Sequence, residues 1–471
     1  MSQQYNLIID RQAIAGALGS FDVINPATEQ PVAACPKASV EQLDQAVAAA
    51  QKAFKQWKLS THAERQRVLN AIADQLEKRT DQLANVIVEE QGKPLFLAQA
   101  EVGAAVAWTR ATAALEIPVD VIEDSDSKRI EMHRKPLGVV GSITPWNWPL
   151  MIAVWHIMPA LRAGNTVVCK PSELTPLNTL ILGEIINEVA PAGLVNIITG
   201  EAEIGSAMSA HPDIQKIVFT GSTPTGQAIM RNASGNLKRL TLELGGNDAA
   251  IVLPDADIDT IAMPIFQTAF LNMGQTCAAL KRLYVHDSHY DLLCQKLVAI
   301  AEQQHVGNGA DEGVTFGPVQ NPKQLERVIE LVADAQEQGA TILCGGSRLK
   351  GSGYYYPPTI VGNITDGTRL VDEEQFGPVL PVIRYHDVED AVSHANANSN
   401  GLGGSVWSSD IEQAQRIAAR LECGTAWINN HAEVLPHAPF GGCKMSGFGV
   451  EFGVEGLLEY TCQQVINISK G

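Results

Sequence analysis

Residues 137–143 read LGVVGSI, a short apolar run that is typical of a buried β-strand. Similar runs follow at 165–169, 195–198, 216–220 and 239–244, with helical patterns between them at 149–163, 176–189, 203–210 and 224–234. Strands that alternate with helices at this spacing predict a parallel sheet with right-handed crossovers. We therefore predict a doubly wound α/β domain of the dinucleotide-binding type.

The chain around this segment divides into further parts. Strand patterns at 249–253, 282–286, 341–344, 378–385, 402–407 and 425–429 predict a second α/β domain. A hairpin pattern near 119–134 and an alternating stretch from Leu457 to Ser469 predict strands that pair with each other and form an oligomer contact. We assign residues 1–117 and 137–245 to the dinucleotide-binding domain, 246–445 to a catalytic domain, and 118–136 with 457–471 to a small β oligomerisation arm.

Length and charge exclude several classes of protein. The chain has 471 residues, enough for two or three domains with cores of their own. Its net charge is −18 and it has no basic run, so we predict no binding to nucleic acid or to a membrane surface. The 8 cysteines contain no CxxC pair, which favours reduced thiols and no metal site. Without a signal-peptide pattern, the protein is expected to be cytoplasmic.

Ligands of a doubly wound sheet bind at the carboxyl ends of its strands, and four of these ends carry unusual residues. PWNWP (145–149) holds an amide donor in a rigid turn, although a packed turn explains it equally well. KPSE (170–173) suits ribose hydroxyls or a helix cap. GSTPTG (221–226) suits a phosphate at a helix N-terminus, although a lone GxxxxG is weak. ELGG (243–246) places one carboxylate beside glycines.

GQTC (274–277) reads as a turn that exposes one thiol. Helical spacing from Asp257 onward predicts a helix that stops at Gly274. A lone cysteine is more often a small buried apolar residue than a nucleophile. In combination, however, a thiol, an amide donor, a carboxylate and a phosphate cradle suit the oxidation of a carbonyl through a covalent thioester.

Seven segments, in order, resemble the signature segments of the NAD(P)-dependent aldehyde dehydrogenase superfamily: PWNWP, KPSE, FTGS, LELGG, GQTC, EEQFGPV (373–379) and PFGGCKMSGFG (439–449). The resemblance covers nearly the whole chain. It implies that Cys277 is the nucleophile, in a site that favours its thiolate. Asn147 and the backbone N–H of Cys277 would form the oxyanion hole. Glu243 would be the general base for the water that hydrolyses the thioester.

The resemblance also implies NAD as the cofactor. Lys170 and Glu173 would hold the adenosine ribose, and Gly221 and Ser222 the diphosphate. A carboxylate at Glu173 accepts a hydrogen bond from the 2′-hydroxyl and repels a 2′-phosphate, so NADP would bind more weakly than NAD. Further residues expected at the cofactor are Ile143, Thr144, Pro145, Trp146, Ser172, Gly205, Phe219, Leu244, Glu374 at the second ribose and Phe376 at the nicotinamide.

By position in the family, the substrate tunnel would be lined by Trp148, Trp155, Leu271, Thr276 and Phe440, although Trp155 and Leu271 also suit a core. A mostly apolar tunnel without an arginine favours aliphatic or aromatic aldehydes, with broad specificity, over succinate semialdehyde. Succinate-semialdehyde or aminoaldehyde dehydrogenase of the same mechanism is the alternative. His431, Glu433 and His437 either add polarity at the tunnel mouth or are solvated loop residues.

Two departures from the family pattern leave the subfamily open. Asn247 stands where many members carry lysine, and AALKR (278–282) follows Cys277 in place of a glycine-containing segment. An acylating enzyme that uses coenzyme A is one rival, which Glu243 argues against. A non-enzymatic binding protein on this fold is another. A homodimer or homotetramer through the predicted arm is expected.

Overall fold

The computed structural model describes residues 4–471. Its first part forms β1 (Leu7–Ile9), β2 (Gln12–Ile14), β3 (Ser20–Asn25), β4 (Gln30–Pro36), α1 (Val40–Trp57), α2 (His62–Lys78), α3 (Thr80–Gln91) and α4 (Leu95–Ala114). Ser39 caps α1, because its side chain accepts a hydrogen bond from the amide of Gln42 and the Gln42 side chain accepts one from the amide of Ser39.

The central part carries the predicted alternation of strands and helices. It forms β5 (Asp120–Asp124), β6 (Lys128–Pro136), β7 (Val139–Ile143), α5 (Pro149–Ala163), β8 (Thr166–Lys170), α6 (Leu177–Val189), β9 (Val195–Ile197), α7 (Ala202–Ala210), β10 (Lys216–Thr220), α8 (Thr223–Ala233) and β11 (Arg239–Glu243), with a 3₁₀ turn at Ser234–Asn236. Pro149 begins α5 at a position that needs no N–H, and Gly164 ends it with a φ of 97°.

The last part forms a second α/β layer. It contains β12 (Asp248–Val252), α9 (Ile258–Ala269), β13 (Leu280–His286), α10 (Asp287–Ala301), α11 (Pro322–Glu337), β14 (Thr341–Cys344), β15 (Thr359–Ile364), α12 (Arg369–Asp372), β16 (Val379–Tyr385), α13 (Val388–Ala397), β17 (Asn400–Gly401), β18 (Gly403–Trp407), α14 (Ile411–Ala418), β19 (Thr425–Ile428), β20 (Cys443–Lys444), β21 (Gly447–Phe448), α15 (Gly453–Leu458) and β22 (Thr461–Ser469).

The first sheet has the strand order β2-β1-β9-β8-β7-β10-β11-β21. Its five central strands, from β9 to β11, are parallel. The strand order reverses between β7 and β10, because β8 and β9 lie on one side of β7 and the chain then returns to place β10 and β11 on the other side. Ligands of such sheets bind outside the carboxyl ends of the two strands at this reversal. The fold therefore directs attention to the residues after Ile143 and after Thr220.

The second sheet has the order β14-β15-β16-β13-β12-β18-β19 and is parallel from β15 to β19.

Strand β15 was not predicted from the sequence. The predicted helix stop at Gly274 is wrong, because α9 ends at Ala269 and residues 270–276 separate it from Cys277. The catalytic-domain and dinucleotide-domain bounds stay predictions, and residues 1–3 lie outside the described range.

A third sheet has the order β22-β6-β5. Strand β22 pairs antiparallel with β6, with Thr461 opposite Pro136 and Ser469 opposite Lys128, so the predicted pairing is confirmed. This sheet exposes several apolar side chains: Val121, Ile122, Val465, Ile466 and Ile468. Across residues 4–471, every helix is too short or too polar to cross a bilayer.

Candidate active site

Two adjoining cavities open at the predicted edge of the first sheet. The larger, of about 570 Å³, lies along β8, α7 and α8. The smaller, of about 220 Å³, extends to Cys277, which belongs to the second α/β layer. Both are lined by Pro145, Trp146, Thr220, Gly221 and Ser222. They therefore form one cleft that runs from α7 to the thiol.

Every residue that the sequence assigned to the cofactor lines this cleft. The larger cavity is lined by Ile143, Thr144, Pro145, Trp146, Lys170, Ser172, Glu173, Gly205, Phe219, Gly221 and Ser222. The smaller cavity adds Leu244, Glu374 and Phe376. Sequence reasoning missed other lining residues: Ala202, Ser206, Asn232, Gln324 and Arg327. The last two lie on α11, which no motif connects with the first sheet.

The cleft has the shape and groups for a dinucleotide. The N-terminus of α8 faces the larger cavity beside Gly221 and Ser222, where its free N–H groups suit a diphosphate. Lys170 Nζ lies 3.6 Å from a Glu173 carboxylate oxygen, so a cation and an acceptor are paired at the same wall. At Gly245, a Cβ atom would come within 2.3 Å of Glu374 Oε2. A side chain at position 245 would displace the Glu374 carboxylate from the place that it takes at the smaller cavity.

Cys277 is held at the end of a strained turn. Asn272, Met273 and Gly274 have φ values of 51°, 56° and 72°, a left-handed run that costs energy at the two residues other than glycine. A Cβ atom on Gly274 would lie 2.2 Å from the carbonyl oxygen of Gly377. The turn thus packs directly against the predicted cofactor segment 373–379, and Cys277 reaches the cleft partly exposed.

Asn147 is buried beside this turn. Its Nδ2 donates a 2.9 Å hydrogen bond to Gln275 O, and its own carbonyl accepts one of 2.8 Å from Asn272 Nδ2. Asn147 and Cys277 line the same 220 Å³ cavity. An amide donor in the same small cavity as a thiol is suited to stabilise a negative oxygen that forms on an adduct of that sulfur.

A buried ion pair supports Asn147 from behind. Lys93 Nζ donates to Glu101 Oε2 at 2.6 Å and to Asn147 O at 2.9 Å, and both charged side chains are fully buried. Glu101 Oε1 accepts from the amides of Leu150 and Met151 in the first turn of α5. The Lys93–Glu101 pair therefore fixes both the backbone of Asn147 and the start of α5. The sequence carried no signal for this contact.

Glu243 ends β11 as a buried carboxyl group. Neither of its oxygens has a hydrogen-bond partner within the described residues. Burial and the nearby charge of Glu451 raise the pKa of Glu243 well above its usual value. Glu451 lies in turn 3.3 Å from His156 Nε2. A carboxyl group of this kind holds its proton at neutral pH more readily than a solvated one.

The surroundings of Cys277 differ from the expectation that the site favours the thiolate. Burial raises the pKa of the Cys277 thiol to about 12, and the charges of Glu374, Glu243 and Asp248 act in the same direction. Lys281 acts in the opposite direction. Apart from Lys281, these groups favour the protonated thiol, because burial and nearby negative charges disfavour a negative charge on the sulfur.

The residues expected at the substrate lie outside the two cavities. Trp155 and Phe440 pack with Cys277 in one apolar cluster that also contains Trp108 and Phe452. Trp155 and Phe452 meet edge to face at 4.7 Å between ring centroids. The other three expected residues stabilise the turn before Cys277. Trp148 Nε1 donates to Thr276 Oγ1 at 2.9 Å, and Thr276 Oγ1 donates to Leu271 O at 3.3 Å.

The loop before Phe440 is only partly solvated. His431 is buried, and its Nδ1 lies 2.8 Å from Ser405 Oγ. Trp427 Nε1 donates a 2.9 Å hydrogen bond to the carbonyl of Glu433. The solvated-loop interpretation is therefore wrong for His431, which belongs to the interior behind the aromatic cluster.

The Aldehyde dehydrogenase family profile matches residues 14–466 of the chain. The chain belongs to the aldehyde dehydrogenase family. Its relatives are oxidoreductases that act on aldehydes, and the family depends on NAD(P). Retinaldehyde dehydrogenase 3 from Homo sapiens is 38% identical over 460 aligned residues, with 96% of this chain and 90% of that protein covered. Phenylacetaldehyde dehydrogenase from Pseudomonas fluorescens is 39% identical, with 96% and 93% covered.

Solved structures of other aldehyde dehydrogenases have the same fold as this aldehyde dehydrogenase over nearly its whole length. An aldehyde dehydrogenase from Bacillus cereus in complex with NAD+ has a TM-score of 0.97 and 36% identity, with 100% of this chain and 97% of that chain covered. Betaine aldehyde dehydrogenase from Staphylococcus aureus in complex with NAD+ has a TM-score of 0.96 and 34% identity, with 99% and 95% covered. The fold class predicted from the sequence is confirmed.

Proposed function

We propose that this aldehyde dehydrogenase oxidises an apolar aliphatic or aromatic aldehyde to the carboxylic acid with Cys277 as the nucleophile. The observation that supports this most directly is the smaller cavity, where Cys277 and Asn147 lie beside Glu374 and Phe376. NAD, when bound in the cleft, supplies the hydride acceptor. Glu173 and Lys170 would hold its adenosine ribose, and Glu374 and Phe376 the nicotinamide end.

The protein's own residues perform the remaining work. The Cys277 thiolate attacks the aldehyde carbon, and the oxygen that becomes negative is stabilised by Asn147 Nδ2 and the Cys277 backbone N–H, a contribution of about 3 kcal/mol in comparable sites. After oxidation, the acyl group remains on the Cys277 sulfur as a thioester. Glu243 then takes a proton from the attacking water, and the carboxylic acid leaves.

The apolar cluster around Cys277 favours an uncharged substrate. Trp108, Trp155, Phe440 and Phe452 pack in the same apolar cluster as Cys277. An anionic substrate terminus would lose its hydration there without gaining a partner, whereas a quaternary ammonium would gain contacts with the aromatic rings. The names of two relatives, which specify retinaldehyde and phenylacetaldehyde, support an apolar substrate, whereas the name of a third specifies betaine aldehyde, which is cationic. Succinate semialdehyde or an aminoaldehyde is the alternative that the experiment below separates.

The third sheet is proposed as an interface between copies of this chain. Its apolar side chains Val121, Ile122, Val465, Ile466 and Ile468 are exposed, and β5 leaves one edge of the sheet unpaired within the described residues. Exposed apolar faces with open edges are usually covered by another chain. A homodimer or homotetramer is the proposed assembly, and the cytoplasmic location stays a prediction.

A panel of aldehydes graded by chain length and by terminal charge tests the function. NADH formation should give kcat/KM values at least about tenfold higher for apolar aldehydes than for anionic ones of equal length, since burying a polar group without a partner costs about 1–3 kcal/mol and a charge costs more. Cys277→Ala should abolish NADH formation and retain NAD binding. Cys462→Ala, on the distant β22, is the matched control. Turnover by Cys277→Ala would remove the proposed nucleophile.

A further inference from the structure

A fully buried lysine stands directly behind the catalytic turn. Lys281, in β13, is 1% exposed, and its Nζ donates a 2.6 Å hydrogen bond to Gly274 O. The two other lysines buried to this depth are paired with carboxylates, Lys93 with Glu101 at 2.6 Å and Lys216 with Glu459 at 3.6 Å. Lys281 has no such ion pair within residues 4–471. An ammonium group that is buried without a direct counter-ion is costly, so its retention calls for a role.

The surroundings of Lys281 join the catalytic turn to the cofactor segment. Its Nζ lies 4.9 Å from the centroid of the Phe376 ring, which faces the smaller cavity. Its backbone carbonyl accepts a 3.2 Å hydrogen bond from Gln375 Nε2. Because Gly274 packs on Gly377, the ammonium group lies where the turn that carries Cys277 meets residues 374–377.

Lys281 is also a positive charge among negative ones. Burial lowers the pKa of Lys281, while Glu374 and Asp248 raise it. The same two carboxylates, with burial and Glu243, raise the pKa of the Cys277 thiol, and Lys281 lowers it. A cation close to a thiol favours the thiolate, which is the form that attacks.

We propose that Lys281 is a positioning residue that holds the catalytic turn through Gly274 and supplies the positive charge that favours the Cys277 thiolate. The proposal rests on the proposed function, since it needs Cys277 as the nucleophile. It also gives a physical meaning to AALKR (278–282), the segment that departs from the family pattern. A lysine that only props up the turn would support the fold without changing the reactivity of the sulfur.

Alkylation of Cys277 in the cofactor-free enzyme separates these two roles. Peptide mass spectrometry follows Cys277 alone among the thiols, at a series of pH values and with two reagents, neutral iodoacetamide and anionic iodoacetate. Lys281→Met removes the charge with little change of shape. A rise of about one unit in the thiol pKa leaves about tenfold less thiolate. Since a more basic thiolate is also more nucleophilic, the iodoacetamide rate should fall by about threefold.

The ratio of the two rates reports the local charge and cancels changes in access to the sulfur. The iodoacetate rate should fall more than the iodoacetamide rate in Lys281→Met, and Lys281→Arg should restore both. Lys216→Met is the matched control, because Lys216 is equally buried, and it should lower the melting temperature without changing either rate at Cys277. Lys281→Gln is prepared alongside in case the methionine variant does not fold.

Unchanged rates and an unchanged ratio in Lys281→Met, with only a lower melting temperature, would overturn the proposal. Aldehyde turnover by the wild-type enzyme is measured in parallel. If the wild type oxidises aldehydes and the alkylation rates do not respond to Lys281, only the proposal about Lys281 fails. If the wild type oxidises no aldehyde in the panel, the proposed function fails, whatever the alkylation rates are.

Discussion

Asn147 and Gln275 are joined by a 2.9 Å hydrogen bond from Asn147 Nδ2 to Gln275 O. Asn272 Nδ2 closes the contact from the other side through the Asn147 carbonyl, at 2.8 Å. Asn147 follows the first strand of the parallel core, whereas Gln275 precedes Cys277 in the second layer. The two contacts therefore fix the position of Asn147 relative to the turn that carries Cys277.

Asn147→Ala should lower kcat by about 100- to 1,000-fold, as the loss of one oxyanion donor does elsewhere. NAD affinity should stay the same, because the side chain acts on the substrate oxygen. Stopped-flow NADH formation and NAD titration measure the two effects. Asn236→Ala, whose side chain bonds only backbone carbonyls near Pro212, is the control. An unchanged kcat would exclude Asn147 from the oxyanion hole.

Glu243→Gln should separate the two halves of the reaction. Acylation of Cys277 should still release one NADH per site in a rapid burst, and the following steady state should be slow because no base activates water. Rapid mixing with excess aldehyde measures the burst, and intact-protein mass spectrometry should detect the acyl group. Glu312→Gln, in an exposed loop, should behave as wild type. A steady state at the wild-type rate would contradict the assignment of the base.

Glu451→Gln should shift the pH dependence of the steady state. Glu243 acts as a base only after it loses its proton, and burial and Glu451 raise its pKa. Activity in the wild type should therefore rise with pH through this raised pKa. Removing the charge of Glu451 lowers the pKa of Glu243, so the rising limb should move to lower pH. A shift to higher pH would show that the two carboxylates are not coupled in this way.

Glu173→Gln should weaken the preference for NAD. The Glu173 carboxylate faces the larger cavity, and replacing its charge removes the repulsion of a 2′-phosphate. The ratio of kcat/KM for NADP to that for NAD should rise by about tenfold, a change of about 1.4 kcal/mol. Glu203→Gln, which is exposed on α7, serves as the control. An unchanged ratio would mean that Glu173 does not select the cofactor.

Local patterns predicted the regular elements of this fold well. The helix predicted at 149–163 is α5, because Pro149 and Gly164 mark its ends in the sequence itself. Strand β21 had no such signal, since it is two residues long and its partner β11 lies far away in the chain. The end of α9 was misjudged because Gly274 serves a left-handed turn and not a helix cap.

The cleft was predictable where it is built from strand ends, and unpredictable where distant segments complete it. Pro145, Gly221 and Glu374 belong to short motifs that could be read in the sequence. The ionisation of Cys277 could not be read in this way, because the charges that oppose it come from separate parts of the chain. Lys281 adjoins the predicted turn, yet only the packing reveals that its ammonium group points back toward Gly274.

Strand β21 has a consequence for how the enzyme is made. Gly447 pairs with Glu243, so the sheet that carries the proposed general base receives its outermost strand from a segment that follows the whole second α/β layer in sequence. Ribosomes deliver a chain from its N-terminus, at about 5–20 residues per second. The earlier strands must therefore wait, incompletely flanked, until residues 447–448 have been translated. A nascent chain that stalls before this point lacks strand β21 beside β11, so its dinucleotide cleft is incomplete and it is not a working enzyme.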